Sequence, residues 1–337
     1  MSDAPAKAES LASLVRPVEA GAHVVAAAFL GEVAAFALGD GHVVLAGTSS
    51  SERVPLHPDA GILAAAGDGE RLVTGGDDGR VVHLASDGKA ETLAETGGWI
   101  DAVALGAGGA VAWSAGKSVT ARDDKGWQAS LAVSSAARGL AFSPRGFQLA
   151  IARYGGAVLW FPRVAAAPKE LAWKGSHLDV TWSPDARFVV STMQENALHG
   201  WRVADGAHMR MTGYPAKTRS LSWSPDGKWL ASSGADAAVL WPFQSKDGPM
   251  GKAPRELGLR PARVDRVAFH PTAPVLALGY LDGCILLVRL GDNSELMVRP
   301  PAEGGDTVSA LAWSRNGRHL AFGTADGQAG LLTLPRA

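Results

Sequence analysis

The chain has one cysteine, Cys284, in 337 residues. A lone cysteine excludes an intramolecular disulfide and any multi-cysteine zinc site, and it fits a reducing compartment. Charge of one sign is equally scarce: 32 Lys and Arg stand against 33 Asp and Glu, a net of -1, with no basic tail. That balance gives no electrostatic reason to expect nucleic acid or an anionic membrane as partner. Long apolar runs are missing too. The first ten residues (MSDAPAKAES) are polar, the next eleven hold no apolar core of signal-peptide length, and no later stretch approaches the roughly 18 to 20 apolar residues of a membrane span. A soluble, cytoplasmic protein without membrane insertion is therefore expected.

What the chain has in abundance is glycine and proline, 41 and 19 residues, in a composition that is still 47% hydrophobic. Short buried segments joined by many turns give that mixture; a disordered polymer does not. Three segments overlay directly: GLAFSPRGFQLAIARYGGAVLWF from Gly139, DVTWSPDARFVVSTMQENALHGW from Asp179 and SLSWSPDGKWLASSGADAAVLW from Ser220. Each reads strand, tight turn, strand, tight turn, strand. Weaker copies start at Arg266 and Ala310 and lie around Ala26, Gly61 and Ala102, which makes eight. The residue before the first turn (Phe29, Ala65, Leu105, Phe142, Trp182, Trp223, Phe269, Trp313) recurs every 36 to 46 positions, near the period of about 40 to 45 of a four-stranded propeller blade. The longest interval holds Gln244 to Pro254 (QSKDGPMGKAP), which reads as an exposed loop inserted between two strands of one copy.

The turns have their own chemistry. In Ser183-Pro184-Asp185 and Ser224-Pro225-Asp226-Gly227 proline presets φ, while Asp and Gly supply turn hydrogen bonds and tolerance of positive φ. Asp40-Gly41, Asp78-Gly79, Asp282-Gly283 and Asp326-Gly327 mark the second turns with the pair preferred in two-residue hairpins. Runs such as Phe188-Val189-Val190 and Val275-Leu276-Ala277-Leu278 are apolar on both faces, as strands inside a stack of sheets are.

The W-S-P-D-G turn, the Asp-bearing second turn and the strands ending in Trp160, Trp201 and Trp241 resemble the WD40-repeat β-propeller family, over roughly residues 11 to 335. The copies are degenerate. Phe161, Arg202 and Pro242 stand where the family has Asp after Trp, and Gly175-Ser176-His177 is the nearest approach to its Gly-His pair. In the fifth copy His177, Ser191, Glu195 and Trp201 occupy the places of the family's buried His-Ser-Asp-Trp set, with Glu for Asp. Residues 294 to 313 align with 12 to 29, and the last copy stops after its third strand at Leu334. Residues 11 to 17 are thus expected to supply its outer strand, which removes two free sheet edges. The expectation is all-β: a closed propeller of four-stranded antiparallel blades, eight by this count and seven as the alternative. Residues 11 to 337 would form one domain behind a disordered tail of residues 1 to 10.

No catalytic, cofactor or metal residue is assigned. Ala115-Gly116-Lys117-Ser118 looks like the end of a phosphate-binding loop, but Val111 stands where the first Gly is needed, and a hairpin turn explains it. Gly106 to Gly109 is likewise turn material, and no G-x-S-x-G elbow occurs. The nine His show no metal-ligand spacing. His23, His177, Asp101 and Asp265 fall near the starts of innermost strands, where a propeller gathers axial ligands, and solvent-exposed loop positions are the plainer reading. Cys284 reads as a small buried hydrophobe. Trp182, Trp223 and Trp313 share one inner-strand position and should pack between blades. Trp99, on the Gly-rich connection Glu95 to Asp101, is either an exposed anchor or folded onto its neighbours.

In this family the connections into the innermost strands and the second turns share one face around the channel, the usual docking surface. The resemblance implies a ring there of Val25, Asp101, Arg138, Leu178, Arg219, Asp265 and Ser309. Lys217, Arg263 and Arg266 join from the adjacent loops, and Arg153, Tyr154, Glu195, Tyr280 and Asp282 from the second turns. The candidate partner-binding residues are Trp99, Asp101, Arg138, Arg153, Tyr154, Lys217, Arg219, Arg263, Asp265, Arg266 and Tyr280. A basic sector over copies four to seven suits a protein or peptide with an acidic segment. The expected function is a non-catalytic interaction scaffold without cofactor. The competing class is a lactonase-like or quinoprotein-like propeller, an enzyme or small-ligand or metal binder with its site on the axis.

Overall fold

Alternating apolar residues between Gly-bearing turns produce strands almost throughout. The computed structural model describes residues 9–302 and 304–335. Copy one shows the unit: Val24–Leu30, Val33–Leu38, His42–Ala46 and Ser51–Pro55 run antiparallel, each paired with the next. Its second strand is apolar on both faces, and Ala34 to Leu38 are fully buried. The fourth strand is largely exposed, so each sheet runs from a dry inner part to a wet edge.

Among the described residues the strands join into seven hydrogen-bonded sheets. Five have four strands, one gains a fifth, and one has six. The six-stranded sheet carries copies four and five together, because two of its strands are long. Leu149–Trp160 pairs by its first part with Gly139–Phe142 and by its last part with the start of Lys169–Trp182. The end of Lys169–Trp182 then pairs with Phe188–Met193. One strand is thus outermost in copy four and innermost in copy five, and eight sequence copies fill seven sheets. Gly175, at φ 121°, lets that strand bend where other copies break into a loop.

The ring closes as expected. Val15–Glu19, slightly downstream of the anticipated residues 11 to 17, pairs antiparallel with Gln328–Thr333 and completes the last sheet. Most of the tail expected to be disordered lies outside the described residues. Its last two, Glu9–Ser10, form a strand parallel to Glu295–Arg299 and supply the fifth strand of that sheet.

Between sheets the core is aliphatic and aromatic, as where Phe36, Leu38 and Val24 meet Ala310, Ala321 and Leu331 across the seam. The three equivalent tryptophans each reach back one copy. Trp182 Nε1 donates to the Ala141 carbonyl at 3.0 Å, Trp223 Nε1 to Thr181 Oγ1 at 3.1 Å and Trp313 Nε1 to the Ala268 carbonyl at 3.1 Å. Glycine makes room for a different contact. A Cβ on Gly323 would fall 2.4 Å from Val24 Cγ1, so the last sheet accepts the first residue of copy one only because that side chain is missing.

The buried set expected in copy five forms in part. His177 Nδ1 meets Ser191 Oγ at 2.6 Å, but Trp201 Nε1 is buried without a hydrogen-bond partner. Glu195 accepts from the Ser176 backbone N–H at 3.0 Å instead of closing the set. Two such knots were not read from the sequence. In copy two His57 lies 3.0 Å from Asp78 and 2.8 Å from Thr74 Oγ1. In copy six Trp241 Nε1 donates to the Tyr214 hydroxyl, which is 2.6 Å from Ser232 Oγ.

Candidate interaction surface

Each second turn bonds the loop that leads into its own copy's innermost strand. Gly39 N–H donates to the His23 carbonyl at 2.9 Å, Gln194 to Ser176 at 2.9 Å, Leu281 to Arg263 at 2.9 Å and Ala325 to Thr307 at 3.0 Å. The incoming loops and second turns therefore share one face, and most of the expected residues collect on it.

Rim residues at equivalent positions tie neighbouring copies together. Arg138 donates to Asp101 Oδ1 at 3.0 Å, and the other carboxylate oxygen accepts from the Gly116 N–H at 2.8 Å. Arg219 Nε lies 3.8 Å from Asp265 Oδ1. The second oxygen of Asp265 pairs with Arg266, whose Nε also donates to the Ser309 carbonyl at 2.7 Å. Ser309 Oγ in turn donates to the Val24 carbonyl at 2.6 Å.

The second turns add side chains of differing freedom. Arg153 is paired with Glu170 and donates to the Tyr154 carbonyl at 2.7 Å. The Tyr154 N–H is held by Ser135 Oγ at 3.0 Å, which leaves its ring 65% exposed. Lys217 Nζ contacts Gln194 Oε1 at 3.3 Å. Arg263 is exposed. Cation excess thus narrows from four copies to two: Arg138 and Arg153 each have a carboxylate, Arg219 and Arg266 share Asp265, and Lys217 and Arg263 add charge on the loops of the same two copies without a carboxylate contact among the described residues.

Three positions differ from expectation. Tyr280 is fully buried and its hydroxyl donates to the Gly258 carbonyl, so it belongs to the core and not to the docking ring. It ends the strand Val275–Tyr280 with its ring turned inward, where burial pushes its hydroxyl pKa well above the usual phenol range. His177 is also fully buried, and Asp265 is nearly so; neither is an exposed loop residue. Burial lowers the pKa of Arg266 from the ordinary guanidinium value, opposed by its Asp265 partner. Cys284 is buried as expected, and its thiol is pushed up to about 11.

Trp99 stands 67% exposed at the edge of a cleft of about 610 Å³. The walls are the loop Thr96 to Asp101 on one side and Trp113, Gly116, Ser118 and Thr120 on the other. Of these, Trp99 and Asp101 were among the sequence candidates. Trp113, Ser118 and Thr120 were not, although the hairpin at Gly116 had been singled out as a turn. Among the described residues no group of three or more His, Cys, Asp or Glu is placed to hold a metal ion, and no helix is long and apolar enough to cross a membrane.

Comparison with known proteins adds to this geometry. The WD domain, G-beta repeat, matches residues 209–240, and the anaphase-promoting complex subunit 4 WD40 domain matches residues 267–336. Both are WD40-repeat models, and they support a WD40-repeat family for the chain. The chain is 38% identical to WD repeat-containing protein 1-B of Xenopus laevis over 82 residues, which is 23% of this chain and 14% of that protein. It is 31% identical to the chromatin assembly factor 1 subunit FAS2 homolog of Oryza sativa subsp. japonica over 114 residues, 31% of this chain and 22% of that one. The chain therefore spans a minor part of the length of the curated relatives it matches. In fold, the chain is similar to the computationally designed Ika8 protein, with a TM-score of 0.73 and 17% identity over 94% of this chain and 98% of that one.

Proposed function

We propose that the propeller, residues 11–337 acting as one domain, is a non-catalytic scaffold that binds a protein or peptide segment carrying acidic residues. The observation that carries this reading is the face where incoming loops and second turns converge, with exposed Trp99 and Tyr154 and the Arg138–Asp101 pair on one sector and two arginines on the single carboxylate of Asp265 on another. Rigid sheets hold these loops, and Arg and aromatic side chains are favoured at binding hot spots. Two matched proteins are named as subunits of assemblies, an anaphase-promoting complex and a chromatin assembly factor, which favours the same class. Neither partner is carried over. The lone cysteine favours a cytoplasmic setting.

The test is capture of the native partner by the intact chain and by the Arg138→Glu, Arg219→Glu double variant. Weakened capture with an almost unchanged melting temperature supports the reading; unchanged capture overturns this face as the docking surface. A metal present at near-stoichiometric amount in the purified protein would instead favour an axial site.

A further inference from the structure

We propose that the cleft between Trp99 and Trp113 is an anchor pocket for a bulky aromatic side chain of a partner segment, with a neighbouring carboxylate of that segment received by Arg138. This rests on the scaffold reading and names the chemistry of one site within it. Trp99 and Trp113 give the cleft apolar walls: Trp113 is almost fully buried, packed with Ile100, and forms a fixed floor, while Trp99 stands free above it. The loop beneath Trp99 is lined by Gly97 and Gly98, and a Cβ on either would meet nothing within 4 Å. An incoming ring therefore finds open space beside one exposed indole and one buried indole. A volume of about 610 Å³ lies within the range of pockets that take a drug-sized group, so a single aromatic side chain fits with room for its backbone.

Charge selects the neighbour of that ring. Asp101 is the only carboxylate in the cleft wall, and both of its oxygens are engaged, one by Arg138 and one by the Gly116 N–H. No unspent negative charge is left there for a cationic occupant. Arg138 is 58% exposed and gives one nitrogen to Asp101, so the rest of its guanidinium faces solvent beside the cleft. A carboxylate on the partner can bind there in the charge-assisted, two-donor manner that suits arginine. A lysine at the same place would face Arg138 directly.

The test uses three capped dipeptides, acetyl-Phe-Glu-amide, acetyl-Phe-Gln-amide and acetyl-Phe-Lys-amide, with the indole N–H resonances of Trp99 and Trp113 as readout in ¹⁵N-labelled full-length protein. Acetyl-Phe-Glu-amide should shift both resonances saturably, and the Gln form should bind about fivefold more weakly, the scale of one charge-assisted hydrogen bond at an exposed site. The Lys form should be weaker again. Arg138→Gln should remove the preference for Glu while leaving the ring bound, and Trp99→Ala should abolish the Trp113 shift. Absence of a saturable shift up to about 10 mM, beyond the weak limit of useful affinity, overturns the pocket. So does a preference for Lys, or a Glu preference that survives Arg138→Gln. Partner capture lost in the Arg138→Glu, Arg219→Glu variant but kept in Trp99→Ala overturns the anchor pocket alone and leaves the scaffold standing.

Discussion

The Asp101 and Asp265 groups occupy the same offset in their repeats, each tying one copy to the next through an arginine, yet their surroundings differ. Asp101 has one arginine, Arg138, that is more exposed than itself, at 58% against 18%. Asp265 has a side chain 9% exposed and serves two arginines, Arg219 and Arg266, the latter 25% exposed. Position within the repeat thus fixes which residues meet, while burial and the ratio of charges decide what the meeting does. A pair with one partner in water is cheap to break and free to be redirected to another molecule. A sunken carboxylate between two cations holds the rim, because removing it leaves buried charge uncompensated.

Tryptophan presses that contrast hardest. Trp182→Ala should cost about 3 to 5 kcal/mol, the usual range for deleting a buried aromatic, whereas Trp99→Ala should stay within about 0.5 kcal/mol, as surface changes do. Urea unfolding of both variants gives the comparison, and a Trp182 loss below about 1 kcal/mol would remove the role between copies drawn from its bond to Ala141. Next come the carboxylates. Asp265→Asn should destabilise by about 2 to 4 kcal/mol and Asp101→Asn by less than about 1 kcal/mol; equal losses would erase the distinction between the two sectors.

Acid separates both sectors from what lies between them. In copy five His199 is fully buried, both ring nitrogens lack hydrogen-bond partners, and its ring stacks on Trp173 at 4.1 Å. Burial, with the nearby His208, His177 and Arg210, depresses its pKa from 6.5 to about 3. Above 6.5 the imidazole is neutral in both folded and unfolded chains and contributes no pH dependence. As pH falls below 6.5 the unfolded chain takes up a proton that the folded one refuses, so stability is lost progressively down to about 3. By pH 5 the loss should reach up to about 2 kcal/mol, read as a falling urea midpoint and flattened by His199→Phe. A slope unchanged in that variant would assign the acid sensitivity elsewhere. The smallest effect concerns the two second-turn tyrosines: Tyr280→Phe should cost about 1 kcal/mol for its bond to Gly258, and Tyr154→Phe nothing measurable.

Turns and period were legible because their chemistry is local: Pro and Asp-Gly bend the chain whatever surrounds them. The seam was legible because residues 294 to 313 align with residues 12 to 29. The fusion of copies four and five was not, since Gly175-Ser176-His177 reads as an approach to the family's Gly-His pair and only the pairing on either side shows that the strand continues through Gly175. Tyr280 misled for a related reason. A tyrosine beside Asp282-Gly283 looks like loop surface, but strand alternation turns it inward, and its hydroxyl finds a carbonyl 22 residues away. The cleft was half legible. The Gly-rich loop marked Trp99 as unusual, while the opposing wall comes from a hairpin whose side chains are defined by three-dimensional packing alone.

The strand Val15–Glu19 has a consequence for how the molecule is made. It leaves the ribosome about 310 residues ahead of its partner Gln328–Thr333. At about 5 to 20 residues per second the wait is roughly 15 to 60 s, during which Val18, buried in the finished seam, lacks its partner strand and the Ala310, Ala321 and Leu331 side of its cluster. The same strand on a neighbouring nascent chain is chemically identical and competes for the same edge. Production in crowded polysomes should therefore yield exchanged dimers at the seam before it yields any other misassembled form.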